Sequence, residues 1–147
     1  LQAECSALVA VDDDVFGRPA RLETETALAW QAMQTAASAA GISLLLISAF
    51  RSYDYQKQLF ERKLAKGNLL ANILKVNAAP GYSEHHSGRA LDLGCHGFSH
   101  LEESFETSPA FAWLQQHAAS FGFSMSFPRN NPFGVSYEPW HWCHQTP

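Results

Sequence analysis

Apolar residues recur at helical spacing through Leu28, Trp30, Met33, Ala36 and Ala37, with Thr24 and Thr26 as candidate N-caps and Gly41 as a stop. This pattern predicts a helix packed on a core. From Ile42 to Phe50 Leu and Ile crowd a strand-length run that breaks at polar Arg51-Ser52, so a buried strand is expected to end at Arg51. A second helical stripe, Tyr55, Leu59, Phe60 and Leu64, runs between a possible cap at Ser52 and a stop at Gly67. Leu69 to Val76 fits a short helix or a loop, and Asn77 to Gly81 has the composition of a turn. Ala90-Leu91-Asp92-Leu93 predicts a strand, and Ser108-Pro109 supplies an N-cap and first-turn proline for a helix with Phe111, Trp113, Leu114 and Ala118, closed by Gly122. Phe123, Met125 and Phe127 alternate with serines as a half-buried strand does; turn-rich Pro128 to Gly134 precedes a last strand expected near Val135 to Cys143. Helices and strands are mixed, with the late strands most easily paired antiparallel, so the fold class is α+β: a central antiparallel sheet with flanking helices.

The chain of 147 residues fits one domain over residues 1–147, since two would each be short of core. With 46% hydrophobic and 16% charged residues it can bury that core. A net charge of -4 leaves no broad basic surface for a phosphate backbone, which removes nucleic acid as a partner. The longest apolar stretches, such as Leu44 to Ile47, are far short of the roughly 20 residues a membrane helix needs. The first residues show neither an initiator Met nor a secretion-signal profile, so targeting is not visible. Cys5, Cys95 and Cys143 allow at most one internal disulfide.

Two segments are dense in metal-competent groups: Ser83-Glu84-His85-His86-Ser87-Gly88-Arg89-Ala90-Leu91-Asp92 and Glu138-Pro139-Trp140-His141-Trp142. A catalytic zinc takes three protein ligands and keeps a position open for water; His85, Asp92 and His141 supply such a set. Glu138, three residues before His141, is placed to act as a general base without ligating. The helical His-Glu-x-x-His signature is absent, so the metal does not rest on that motif. Cys95, His96, His100, Cys143 and His144 could be written as a second, structural zinc site, but no Cys-x-x-Cys pair supports it, and with His117 these histidines are expected to be ordinary. Trp140 and Trp142, flanking His141, are expected to be scaffold.

Ser83-x-His85-x-x-Gly88-x-Ala90-x-Asp92, followed downstream by Glu138-x-x-His141, resembles the D-alanyl-D-alanine carboxypeptidases of the VanY type, in the group that also holds lysostaphin-like peptidases and the Sonic hedgehog signalling domain. Ser48-Ala49-Phe50-Arg51-Ser52-Tyr53-x-x-Gln56 is similar to that family's Ser-Gly-Tyr-Arg-Ser-x-x-x-Gln segment, and Gly122-Phe123 with Phe127-Pro128 also has a counterpart. The likeness covers about Ile42 to Trp142, with Ala49, Phe50 and His86 as departures from the commoner Gly, Tyr and Gln. It implies a hedgehog/D-Ala-D-Ala-peptidase-like fold, Zn2+ held by His85, Asp92 and His141, and Glu138 as catalytic base. It further implies that Arg51 binds substrate and stabilises developing charge, and that Gln56 and Ser83 line the peptide pocket. A guanidinium can grip a carboxylate through two parallel hydrogen bonds, which suits a free C-terminus.

The implied reaction removes the terminal D-alanine of peptidoglycan stem peptides, across a D-Ala-D-Ala or an L,D bond, in the periplasm or outside the cell. A peptidoglycan endopeptidase or lysin, or a non-catalytic zinc-containing binding module, are the competing expectations. Retention of Glu138 beside all three ligands argues against the module, which has no use for a base. Cys95 and Cys143 lie just past two ligands that converge, so either a disulfide or two reduced thiols is compatible with the chain.

Overall fold

The computed structural model describes residues 1–145. It begins with a hairpin of β1 (Leu8–Val11) and β2 (Ala20–Glu23), paired antiparallel with Leu8 opposite Glu23. Neither strand is visible as a pattern in the sequence, because each is only four residues long and the hairpin is held from its loop. There the Asp14 carboxylate accepts from the amides of Phe16 and Arg18 and from Arg18 Nε at 2.7 Å, while Arg18 Nη2 donates to the Ile47 carbonyl. The loop is thereby tied to the main sheet.

Helix α1 (Thr24–Ala39) follows β2 directly. Its cap is Glu23, whose carboxylate accepts from the amides of Glu25 and Thr26, so the expected threonine caps fall inside the helix. Thr26, Ala27, Trp30, Met33 and Ala37 form its buried stripe, whereas Leu28, 66% exposed, sits off that face despite its hydrophobicity. The expected strand from Ile42 contracts to β3 (Leu45–Ser48), and α2 (Tyr53–Ala65) begins from the Ser52 cap as expected. The ambiguous segment contains a short helix, α3 (Leu70–Val76). Then come a 3-10 turn at Glu84–Ser87, β4 (Ala90–Gly94), a further 3-10 turn at Glu103–Thr107, and α4 (Pro109–His117) capped by Ser108.

The last two strands, β5 (Phe123–Met125) and β6 (His141–His144), are shorter than the sequence pattern predicts. Pro139 has no N–H to give a ladder, and the Glu138 amide is spent on the Phe127 carbonyl, so residues 135–140 form a bent approach instead of a strand. The main sheet runs β3-β4-β6-β5, antiparallel at every step.

One face of this sheet carries Leu91, Leu93, Trp142 and Phe123 into a core with Trp30, Met33 and Ala37 of α1 and Phe111 and Leu114 of α4. The other face of the central strands carries two polar side chains, Asp92 and His141, opposite each other. The mixed α/β architecture with an antiparallel sheet and flanking helices is the one expected. No helix among the described residues is long and apolar enough to cross a membrane.

All three cysteines are free. In the β4–β6 register Cys143 lies opposite Ala90, and since the strands are antiparallel, residues after Asp92 and after His141 run in opposite directions. Convergence of the two neighbouring side chains therefore separates Cys95 from Cys143.

Replacing Glu23 with Ala should lower stability by about 1 kcal/mol, the usual weight of an N-cap, while Thr24→Ala should cost less than about 0.5 kcal/mol. Urea denaturation of the two variants checks which residue caps the helix.

Candidate metal centre and peptide cleft

The β3–β4–β6 ladder aligns three side chains on the polar face. Asp92 lies opposite Ser48 on one side and opposite His141 on the other. A register shift between Leu46 and Ser48 brings Ser48 into that row. His85 arrives from the 3-10 turn, whose Ser83 cap accepts from the His85 amide at 3.2 Å. Gly88 ends the turn at φ +72, and a Cβ there would meet the Glu23 amide nitrogen at 2.9 Å, so the close approach of turn and hairpin requires glycine. The Glu23 amide donates to the Gly88 carbonyl across this contact.

His85 Nε2 stands 3.2 Å from Asp92 Oδ2, and His141 Nδ1 stands 3.1 Å from Asp92 Oδ1. One ligand atom from each of the three residues can be chosen so that all lie within 4.8 Å of one another, and all three residues are buried. Two imidazoles and a carboxylate are the donor types zinc takes, so the residues fit such an ion. Hydrogen bonding selects the donors. His85 Nδ1 donates to the Ala49 carbonyl at 2.7 Å, which leaves Nε2 as the free lone pair. On the other imidazole, Nε2 faces Glu84 Oε1 at 2.8 Å and Nδ1 points into the centre.

Burial pushes the His85 pKa down, with the Arg51 charge adding to it, so its ring is neutral and its bare Nε2 confronts a carboxylate oxygen. Two acceptors facing each other across 3.2 Å are an arrangement that a cation between them relieves. Burial alone would raise the Asp92 pKa, but the protonated His141 ring, by its hydrogen bond and its charge, holds it far below the ordinary carboxylate range. Burial likewise opposes the His141 charge, yet hydrogen bonds to Asp92 and Glu84 win and push its pKa up to about 10.

Glu138 is brought beside this group without joining it. Its Oε2 lies 3.8 Å from His141 Nδ1. Burial, together with the Asp92 and Glu84 charges, raises its pKa to about 7 against the opposing pull of His141 and Arg51. Arg51, just past β3, donates from Nε to Ser48 Oγ at 2.9 Å and from Nη2 to Asp92 Oδ2 at 3.2 Å.

The centre opens into a cleft of about 330 Å³, lined by Arg51, Gln56, Ser83 and Glu138 among others. Arg51, Gln56, Ser83, His85, Asp92, Glu138 and His141 are therefore gathered around one space. The second set of Cys and His residues is not: among the described residues His85, Asp92 and His141 are the one such group close enough to share an ion.

The D-alanyl-D-alanine carboxypeptidase family model of the VanY type matches residues 19–146. The chain belongs to the VanY family. Among curated relatives, a putative carboxypeptidase, YodJ, of Bacillus subtilis (strain 168) is 36% identical over 125 residues, which are 82% of this chain and 45% of that protein. The chain thus spans less than half the length of that relative. A solved LD-carboxypeptidase, LdcB, superposes with a TM-score of 0.84 at 32% identity, covering 97% of this chain and 70% of that one. A VanY D,D-pentapeptidase from a VanB-type vancomycin resistance cassette, solved in complex with Zn(II), superposes at 0.71 with 26% identity over 97% of this chain and 82% of that one.

Within this VanY-family site, three supporting groups escaped the sequence analysis. Ser48 fixes the Arg51 guanidinium. His86, buried completely, donates from Nδ1 to the Arg51 carbonyl and accepts the Gly81 amide at Nε2, so it holds the arginine loop against the ligand turn. Glu84 orients His141 from the side away from Asp92. Its place next to His85 was the available signal, but nothing in the spacing says that it reaches a residue 57 positions away. Trp140, expected to be scaffold, lines the cleft, while Trp142 packs in the core and donates its indole N–H to the Pro139 carbonyl.

Glu84→Gln should weaken zinc binding about 10–100-fold, the usual effect of removing a carboxylate that orients a ligating imidazole, read by competition with a chromogenic chelator. Because its folded pKa is raised above the ordinary 6.5 to about 10, His141 is protonated at neutral pH in the metal-free protein, and its charge–carboxylate contacts fade only as pH rises toward 10. Zinc binding near pH 7.5 should therefore release about one proton from His141, seen as a dependence of calorimetric heat on buffer ionisation enthalpy.

Proposed function

We propose that the chain is a zinc-dependent carboxypeptidase that removes the terminal D-alanine from peptidoglycan stem peptides in the cell envelope. The observation that carries this is the unligated Glu138 carboxylate, 3.8 Å from His141, beside a buried His85–Asp92–His141 set at the floor of an open cleft. His85, Asp92 and His141 would hold the ion, which when bound supplies a Lewis acid for the scissile carbonyl and lowers the pKa of water.

The chain's own residues do the rest. Glu138 takes a proton from the attacking water at its carboxylate and returns it to the leaving amine nitrogen. A pKa of about 7 suits a group that must both accept and donate near neutral pH. The Arg51 guanidinium, tethered to Ser48 and Asp92, faces the negative charge that develops on the carbonyl oxygen. Gln56 and Ser83 line the part of the cleft that receives the peptide. Similarity to the LdcB LD-carboxypeptidase favours including the tetrapeptide, cleaved at an L,D bond, beside the pentapeptide as a substrate.

Glu138→Gln should keep its zinc and lose about 10²–10⁴-fold in turnover, the range ordinarily carried by a general base. His85→Ala and His141→Ala should lose metal and activity together. Mass spectrometry of defined pentapeptide and tetrapeptide muropeptides, with metal content measured in parallel, reads both. Loss of one alanine from either peptide is the expected result. No mass change with zinc bound would make the chain a binding module, and scission within a cross-linked peptide would make it an endopeptidase.

A further inference from the structure

Gln56, Phe60 and Lys63 stand at i, i+4 and i+7 on α2, so they share the helix face that turns toward the rest of the protein. Gln56 and Phe60 on this stripe are buried. Lys63 is half-buried between exposed Arg62 and Leu64, and it lines the same cleft as Arg51 and Gln56. A lysine at an inward-facing position is normally paired, yet among the described residues no carboxylate lies within ion-pair distance of it. The acids of the cleft are committed elsewhere: Asp92 to Arg51, His85 and His141, and Glu84 to His141, with Glu138 also nearest His141. Burial and the like charge of Arg51 both push the Lys63 pKa down, so the two cations feel each other across the cleft.

Arg51 is not free to serve the whole substrate. Its Nε and Nη2 are taken by Ser48 and Asp92, which anchor the guanidinium beside the candidate ligands. Lys63 stands about 10.5 Å further along the helix axis than Gln56, at 1.5 Å per residue, and its long stem lets the ammonium reach back toward the centre. Gln56 meanwhile donates Nε2 to the Ala78 carbonyl and leaves a buried Oε1 with no donor. An uncompensated cation on the wall of the cleft matches an anion, as found in the last residue of a peptide: its free carboxylate.

We propose that Lys63 is a specificity residue that receives the free C-terminal carboxylate of the peptide and so makes the site an exopeptidase. A chain continuing past that residue would bring a neutral amide to a site with two cations, and would lose the charge pairing. This rests on the carboxypeptidase function proposed above.

The test compares matched acyl-D-alanyl-D-alanine peptides ending in a free acid and in a carboxamide, using zinc-loaded wild type, Lys63→Met and Lys63→Arg. The wild type should prefer the acid. Lys63→Met should shrink that preference by about tenfold or more, as expected for a lost charge-assisted hydrogen bond, with the loss in KM and not in kcat. Lys63→Arg should restore most of it, and the acid's KM should rise with salt in wild type but much less in Lys63→Met. An unchanged acid-to-amide ratio in Lys63→Met, or an equal loss on both peptides, overturns the anchor while wild-type turnover leaves the carboxypeptidase function standing. Failure of wild type to release alanine from either peptide overturns both.

Discussion

A carboxylate buried in the middle strand of a sheet has to be compensated, and in this chain that carboxylate is Asp92. Removing a charge from water costs several kcal/mol unless partners surround it. Here the Arg51 guanidinium and the His141 ring do so, from the loop after β3 and from β6. The compensation is incomplete in one direction. Neutral His85 presents a lone pair to the carboxylate, and His141 carries a proton that a metal would displace. Folding thus assembles a site whose electrostatics improve when a divalent cation enters.

The supporting structure is spent on angles, not on charge. The hydrophobic face of the sheet, packed on α1 and α4, fixes the strands so that Asp92 and His141 project together from the opposite face. The Ala49 carbonyl sets the tautomer of one imidazole and Glu84 the orientation of the other. His86 is a two-ended clamp whose donor and acceptor bind backbone on either side, so it keeps Arg51 in line with His85. Positioning of this kind matters because a donor displaced by a fraction of an ångström loses most of its effect on a reacting centre.

Charge along the cleft is graded. Its floor is acidic, with Asp92, Glu84 and Glu138 gathered around His141. The α2 wall is basic, with Lys63 near Arg51. Membership of the VanY family and a fold shared with an LD-carboxypeptidase are consistent with such a cleft.

The motif Ser83 to Asp92 and the Glu138–His141 pair were legible from the sequence because metal chemistry restricts residue type, and so was the helix after Ser52, because its cap and stripe are local. Other features were not legible. The hairpin at Leu8–Glu23 is stabilised by Asp14, Arg18 and the Ile47 carbonyl, contacts that no periodicity records. The last strand starts at His141 and not at Val135, since Pro139 and a cross-chain bond to Phe127 outweigh β propensity. The separation of Cys95 from Cys143 is a consequence of antiparallel direction, and the reach of Glu84 to His141 follows from where the 3-10 turn sits against the sheet. The sequence by itself determined which groups could bind a metal and move a proton. Only the tertiary structure decided which ring nitrogen faces the centre and which charges stay unpaired, because those depend on distances between segments that the chain order does not encode.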